Sequence, residues 1–166
     1  MIKSSLSKVK IFPSLIITSL FFCCQDVSDP ILDKDYGIVI NEINYNSSDD
    51  FDSGDWIEIY NNEVDTIDIS SWSIKDEKDD HIFTIPENTL IAPGSYLIFC
   101  SELNLFTTLF PDIENYYGNL GFNLSGRSDA VRIFDNFEHL VDSVGYEDTI
   151  PWPINADGEG ATLELF

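Results

Sequence analysis

The chain has 166 residues, which is enough for one domain and an extension. Hydrophobic residues make up 43% of it and aromatic residues 13%, so the composition predicts one folded core and excludes a wholly disordered chain. Thirty acidic residues stand against eight basic ones, for a formal net charge of −22. Because nucleic acids are bound mainly through Lys and Arg, this charge argues against a nucleic-acid-binding protein.

The first 24 residues have the pattern of a lipoprotein-type signal peptide. Three lysines lie in the first ten positions, and residues 11–24 are almost continuously apolar. The apolar run is shorter than the roughly 20 residues that a membrane-spanning helix needs, and it ends in two cysteines. We predict lipidation at Cys24, or alternatively at Cys23. Plain secretion and an uncleaved signal anchor remain open as alternatives.

Residues 25–36 predict an acidic, flexible tether. They contain four aspartates around Pro30 and show no hydrophobic periodicity. Such a segment would hold the following domain away from a membrane. The N-terminus therefore predicts a membrane-anchored lipoprotein in the envelope or on the outer surface of a bacterium.

The remaining residues, 37–166, predict an all-β domain, because short apolar or alternating runs are separated by turn residues. The predicted strands are 37–44, 55–60, a third that begins at Trp72, 81–85, 95–100, 130–134, 140–146 and 161–166. A hairpin turn is expected at 135–138. Leucine and phenylalanine recur at helical spacing in 104–110, which predicts one short helix before Pro111.

Strict alternation gives an expected inner and outer face for the first two strands. In 37–44, Ile38 and Ile40 fall on one face, and the other face carries Val39, Asn41 and Ile43. In 55–60, Ile57 and Ile59 are expected to point inward, whereas Glu58 and Tyr60 point outward. Trp72 is expected in the core, and Cys100 is expected to be a buried free thiol.

Several of these segments resemble a known family. They read INEINYN at 40–46, DWIEIYN at 55–61, ISSWSI at 69–74, LSG at 124–126, DAVRIFD at 129–135, LVDSVGY at 140–146, PWP at 151–153 and DGEGATLEL at 157–165. Together they resemble the lamin-tail domain, which closes nuclear lamins and also occurs in secreted bacterial proteins. The resemblance covers about residues 37–166 and implies an immunoglobulin-like antiparallel β-sandwich. Lamin-tail domains of lamins are linked to chromatin, but the acidic charge argues against that role here.

The acidic loop at 49–55 is the best candidate for a metal site, because Ca²⁺ prefers several carboxylate oxygens on a flexible loop. Its four carboxylates belong to Asp49, Asp50, Asp52 and Asp55. The loop does not fit the EF-hand pattern, since Gly54 falls where that pattern needs an oxygen ligand. The alternative is a solvated hairpin tip. If the acidic turn at 76–80 lies at the same end of the sandwich, its carboxylates would share the ion.

Three aromatic residues are candidates for ligand binding. Trp152 stands between two prolines, and Tyr116 and Tyr117 precede Gly118. All three are predicted to lie in loops, where exposed aromatic rings bind glycans or proteins. The alternative is that they pack as lids over one end of the sandwich.

The sequence shows no catalytic constellation. It has no nucleophile elbow, phosphate-binding loop or dinucleotide fingerprint. His81 and His139 are its two histidines, and they lack the spacing of zinc ligands. Glu42 and Glu58 match acidic positions of the lamin-tail pattern, and we expect them to fix strand pairing by hydrogen bonds rather than to act as acid and base. The chain is therefore predicted not to be an enzyme.

The predicted function is that of an exported, lipid-anchored, non-catalytic module that binds an envelope protein or a glycan through loops at one end of the sandwich. No cofactor is expected apart from Ca²⁺. Bacterial lamin-tail domains are similar to modules found beside secreted nucleases and other hydrolases. An accessory domain, or N-terminal fragment, of such an enzyme is therefore one alternative. A Ca²⁺-dependent adhesion module is the other.

Overall fold

The structure is a computed structural model that describes residues 37–164. The predicted signal peptide with Cys23 and Cys24, the predicted tether and the last two residues lie outside this range. Within the described range, no helix is both long enough and apolar enough to cross a membrane.

Two large β-sheets and one two-stranded sheet form the domain, and one apolar core lies between the two large sheets. The strands are β1 Ile38–Asn44, β2 Trp56–Asn61, β3 Ile67–Asp68, β4 Ser73–Lys75, β5 Ile82–Thr84, β6 Leu90–Ile91, β7 Tyr96–Cys100, β8 Tyr116–Gly118, β9 Ser128–Phe134, β10 Leu140–Glu147 and β11 Leu163–Glu164. The first sheet has the order β11-β1-β2-β7-β8, the second has the order β10-β9-β4-β5, and β3 pairs with β6. The predicted β-sandwich is confirmed.

The core is built from the inward positions of alternating strands. Ile57 and Ile59 of β2 are fully buried and meet Val131 and Ile133 of β9 in one apolar cluster that also contains Trp72. The predicted inner face of β2 and the core position of Trp72 are therefore confirmed. Burying one such aliphatic side chain contributes about 1.5–3 kcal/mol, so these positions hold the two sheets together.

The prediction for β1 is wrong at Ile43, because this strand contains a β-bulge. The register with β2 shifts between Ile40 and Glu42, which leaves Asn41 as an extra residue. One extra residue reverses the alternation of faces beyond it. Ile43 is consequently fully buried in the same core as Ile38 and Ile40.

A second apolar cluster lies on the outer face of the first sheet, under a short helix. Helix α1 spans Leu103–Leu109, which confirms the helix predicted at 104–110. Its Phe106 packs with Trp56, Ile98 and Cys100 of the sheet. Cys100 is buried and free, as predicted.

Helix α1 connects β7 to β8, and these two strands run parallel. The sandwich is therefore not wholly antiparallel, which corrects the prediction. The helix approaches β8 so closely that a Cβ added to Gly118 would lie 2.6 Å from the Cβ atom of Leu103. Only a residue without a side chain fits there unless the helix shifts.

The predicted β9–β10 hairpin is confirmed, and its turn falls between Phe134 and Leu140. The last predicted strand, 161–166, is shorter within the described residues, where β11 spans Leu163–Glu164. The short strands β3, β6 and β8 were not predicted.

Candidate functional site

Three glutamates from adjacent strands lie side by side on the outer face of the first sheet. Glu42 of β1 stands directly opposite Glu58 of β2 on one side and Glu164 of β11 on the other. We call these three residues the glutamate row. The five strands of this sheet contain no Lys or Arg. Because like charges directly opposite each other on neighbouring strands repel, the row costs the sheet stability.

Two of the three carboxylates of the row, those of Glu42 and Glu58, accept hydrogen bonds from neighbouring segments. Asn41 Nδ2 donates to Glu58 Oε1 at 2.8 Å, and Thr162 Oγ1 donates to Glu42 Oε1. These bonds connect β1 to β2 and to the segment before β11, as expected, and a role of the two glutamates in fixing strand pairing stays a prediction. Burial raises the pKa of Glu58, and repulsion from Glu42 and Glu164 adds to the rise, while the bond from Asn41 opposes it.

An aromatic groove of about 490 Å³ runs beside the glutamate row. We call it the Trp56 groove. Its apolar wall consists of Phe51, Trp56 and Phe110, and its polar wall includes Glu42, Asn44, Ser47, Ser53, Thr162 and Glu164. The rings of Phe51 and Phe110 meet edge to face with centroids 5.7 Å apart. Phe51 is 47% exposed, so the groove offers an aromatic surface to solvent.

A hydrogen-bonded network holds the polar wall of the groove in place. Asn44 Nδ2 lies 2.8 Å from Ser47 Oγ, 3.1 Å from Ser53 Oγ and 2.9 Å from the Gly54 carbonyl oxygen. Trp56 Nε1 donates to Ser53 Oγ at 3.2 Å. The indole ring is fixed by this bond and by packing against Phe106 and Phe110 of the helix region.

A second aromatic cleft lies on the other side of the glutamate row. Tyr60 of β2 and Tyr96 of β7 face each other with ring centroids 4.7 Å apart. With Val39, Asn41 and Asn62 they line a cleft of about 330 Å³, which we call the Tyr60 cleft. The outer face of the first sheet thus places carboxylates between two sets of aromatic rings.

A family model described as the Lamin Tail Domain matches residues 34–148 of the chain. The chain belongs to the lamin-tail domain family. Among solved structures, it is similar to a DUF4876 family protein from Bacteroides thetaiotaomicron VPI-5482, with a TM-score of 0.41 and 14% sequence identity. That likeness covers 61% of this chain and 43% of the other, so this chain spans less than half of that relative's length. No curated protein matches the sequence.

In this lamin-tail domain, Tyr116 and Tyr117 lie in strand β8 and not in an exposed loop, which corrects the prediction of their placement. Tyr116 packs against Phe106, with ring centroids 5.8 Å apart. Tyr117 stacks on Phe99 at 5.9 Å, and its Oη lies 3.0 Å from Thr89 Oγ1. Packing accounts for both half-buried rings, and a binding role for either stays a prediction.

Trp152 lies in a loop, as predicted, and its half-buried ring packs against the main core. With Asp129, Tyr146 and Glu147 it lines a cleft of about 290 Å³ that shares no residue with the Trp56 groove. A binding role for Trp152 also stays a prediction.

The four aspartates of the predicted calcium loop do not converge on one point. Asp49 and Asp50 line a polar cleft beside the turn that contains Glu159. Asp52 Oδ1 instead accepts a hydrogen bond from the Gly54 N–H at 2.9 Å, and Asp55 Oδ2 accepts one from the Leu124 N–H at 2.7 Å. Between residues 37 and 164, no three His, Cys, Asp or Glu side chains are arranged to hold a metal ion. Calcium binding therefore stays a prediction without geometric support.

The second acidic cluster of the prediction is also used internally. Asp76 is buried, and its carboxylate accepts a hydrogen bond from the Lys78 N–H and lies 2.6 Å from His81 Nδ1. Asp79 pairs with Arg132 at 3.0 Å. These contacts stabilise the β4–β5 turn rather than completing a site with the 49–55 loop.

Sequence reasoning missed the groove-lining residues Phe51, Trp56 and Phe110. The sequence held a signal for Trp56 alone. It lies two residues before Glu58 and four before Tyr60 on β2, so alternation places it on the same outward face as those two residues. The other two rings come from a loop and from the residue that follows α1, and no periodicity relates them to β2.

Proposed function

We propose that this lamin-tail domain is a non-catalytic binding module, exported and held at the bacterial envelope by a lipid on Cys24 or Cys23. Membership of the lamin-tail family supports a domain that acts by contact rather than by chemistry. The apolar run that ends at these cysteines supports export and anchoring.

The observation that carries the binding function is the Trp56 groove. Binding sites are commonly concave, with apolar and aromatic walls and a few convergent polar groups. The groove has this composition, and half of the Phe51 side chain remains in contact with solvent. A partner that covers Phe51 would gain apolar burial, and it would also meet the polar side chains of Glu42, Thr162 and Glu164 on the opposite wall.

The binding function predicts that the groove governs attachment to envelope material. Phe51→Ala removes the exposed ring of the groove, and we expect it to weaken binding of the labelled protein to isolated host envelopes by about tenfold. The matched control is Phe137→Ala, because Phe137 is also exposed but lies in the β9–β10 turn. Equal binding of both variants, or a loss confined to Phe137→Ala, would contradict the proposed site.

The anchoring half of the proposal predicts different behaviour of two cysteine variants. Cys24→Ala should abolish incorporation of labelled palmitate and move the protein from the detergent phase to the aqueous phase in a detergent partition experiment. Cys23→Ala should leave both readouts unchanged, and the opposite pattern would assign the lipid to Cys23. If the double variant still incorporates label, no lipid is carried at either position.

An accessory role beside a secreted hydrolase or nuclease stays an alternative prediction. A catalytic domain encoded directly downstream of this chain would favour it over the proposed function.

A further inference from the structure

The basic residues of the domain all lie beside one of its two large sheets. Four of the 30 acidic residues (Asp26, Asp29, Asp33 and Asp35) and four of the eight basic ones (Lys3, Lys8, Lys10 and Lys34) precede residue 37, which leaves 26 acidic and four basic residues in the domain. The four basic residues are Lys75, Lys78, Arg127 and Arg132, and all lie on or beside β4 and β9 of the second sheet. The first sheet therefore has no cation of its own.

Two of these cations already have partners on the second sheet. Arg132 donates to the Asp76 carbonyl oxygen at 2.6 and 2.9 Å and to Asp79 Oδ1 at 3.0 Å. Lys75 Nζ lies 4.7 Å from the centroid of the Phe134 ring. Within residues 37–164 no Lys or Arg side chain forms an ion pair with the glutamate row, and the hydrogen bonds from Asn41 and Thr162 offset the repulsion between its carboxylates without neutralising their charge. A cation brought by a partner would relieve that repulsion.

Aromatic rings flank the carboxylates on both sides. The Trp56 groove lies on one side of the row, where Glu42 lines it. The Tyr60 cleft lies on the other side, where Asn41 lines it. Carboxylates neutralise the charge of an ammonium or guanidinium group, and the faces of Trp, Tyr and Phe rings attract it. The same rings also bury the aliphatic part of a Lys or Arg side chain.

From this arrangement we infer that the glutamate row and the Trp56 groove together bind an extended, basic peptide segment of a partner protein. This inference rests on the proposed binding function and names the class of partner. Adjacent strands lie about 4.8 Å apart, so the row of three carboxylates spans roughly 10 Å across the sheet. Side chains at positions i and i+2 of an extended peptide lie about 6.8 Å apart. Two basic residues at that spacing fit over the row, and a neighbouring apolar residue enters the groove.

Other partner classes fit this face less well. A nucleic acid would be repelled by the row. A neutral oligosaccharide would stack on the rings but would leave the carboxylates unneutralised. A single metal ion is disfavoured, because within residues 37–164 no three carboxylates are placed to share one.

The test uses the mature exported protein and synthetic peptides, with isothermal titration calorimetry at low ionic strength. A peptide of four Lys-Thr repeats should bind, the corresponding Glu-Thr peptide should not, and affinity should fall as salt rises. Glu42→Gln/Glu58→Gln should weaken binding by about tenfold, because it removes the facing charges and keeps the hydrogen-bond acceptors. The control is Glu77→Gln/Glu138→Gln, which makes the same change in net charge beside the second sheet.

Phe51→Ala tests whether the groove takes part, and it should also weaken peptide binding. Equal weakening by the two glutamine double variants would show non-specific attraction and would overturn the inference. Failure of the Lys-Thr peptide to bind would also overturn it.

Other outcomes separate the inference from the proposed function. If envelope binding depends on Phe51 while the peptide does not bind, the inference fails and the proposed function stands. Binding of a neutral chitooligosaccharide in place of the peptide would lead to the same conclusion. If Phe51→Ala changes neither envelope binding nor peptide binding, both fail.

Discussion

Asp55 is a carboxylate placed where its charge is unfavourable. It accepts a hydrogen bond from the Leu124 N–H, which joins the start of β2 to the segment before β9. Burial raises its pKa from 3.8 to about 6, and repulsion from Asp52, Asp129 and Glu102 adds to the rise, while the hydrogen bond opposes it. Between pH 4 and pH 6 the folded protein therefore binds a proton that the unfolded chain does not, so stability falls as pH rises through this range.

The pH dependence can be assigned by substitution. Asp55→Asn keeps an acceptor for the Leu124 N–H and removes the titrating charge. When the pH rises from 4 to 7, the free energy of unfolding of the wild type should fall by about 2–3 kcal/mol more than that of the variant. Urea denaturation at each pH measures both values. Asp49→Asn, at an exposed position, is the control and should follow the wild type. Parallel pH profiles for the wild type and Asp55→Asn would show that Asp55 does not titrate in this range.

At the scale of the elements, Asp142 joins the two sheets at their edge. It lies at the bulge of β10, and its Oδ2 accepts a hydrogen bond from the Ile40 N–H of β1 at 2.7 Å. Ile40 in turn borders the bulge of β1. The two irregular positions are therefore connected by one hydrogen bond between the sheets.

Removal of this bond should destabilise the sandwich. Asp142→Ala leaves the Ile40 N–H without its acceptor, which should cost about 1–3 kcal/mol of unfolding free energy. Asp142→Asn retains an acceptor and should keep most of the stability, as measured by thermal or urea denaturation. The connection between the sheets would be unimportant if both variants were as stable as the wild type.

The elements that the sequence predicted are those with an alternating or continuously apolar run, such as β2, β7, β9 and β10, and the one with helical spacing, α1. Strands β3 and β6 have two residues each, which is too short for any periodicity. Strand β8 has three residues and pairs with β7 only after the intervening helix has brought it there, so no local pattern predicts it. The bulge at Asn41 depends on pairing with β2, and its one local signal is the polar pair Asn41-Glu42, which interrupts the alternation between Ile40 and Ile43.

The candidate site was only partly predictable for a similar reason. Alternation on β2 correctly placed Glu58 and Tyr60 on an outward face. The groove beside them also requires Phe51, Phe110 and Thr162, which come from three segments that only the folded chain brings together. Its existence depends on tertiary packing rather than on a motif.

At the scale of the whole molecule, charge is the dominant property. With 26 acidic and four basic residues, the described domain repels itself, and dissolved ions screen that repulsion. We therefore expect the melting temperature to rise when NaCl is increased from about 0.02 M to about 0.5 M, over which the screening length falls from roughly 20 Å to roughly 4 Å.

Differential scanning calorimetry of the wild type and of Glu42→Gln/Glu58→Gln measures this effect. The variant has two charges fewer and lacks the repulsion of both facing pairs of the glutamate row, so its melting temperature should rise less with salt. A melting temperature that falls with added NaCl would mean that attractive ion pairs outweigh the repulsion.

All four cations of the described domain lie beside the second sheet, so the outer face of the first sheet presents carboxylates and aromatic rings without a cation. A surface of anionic lipid headgroups repels such a face at distances up to about a Debye length. The Trp56 groove therefore opens on a face that an anionic bilayer would leave uncovered.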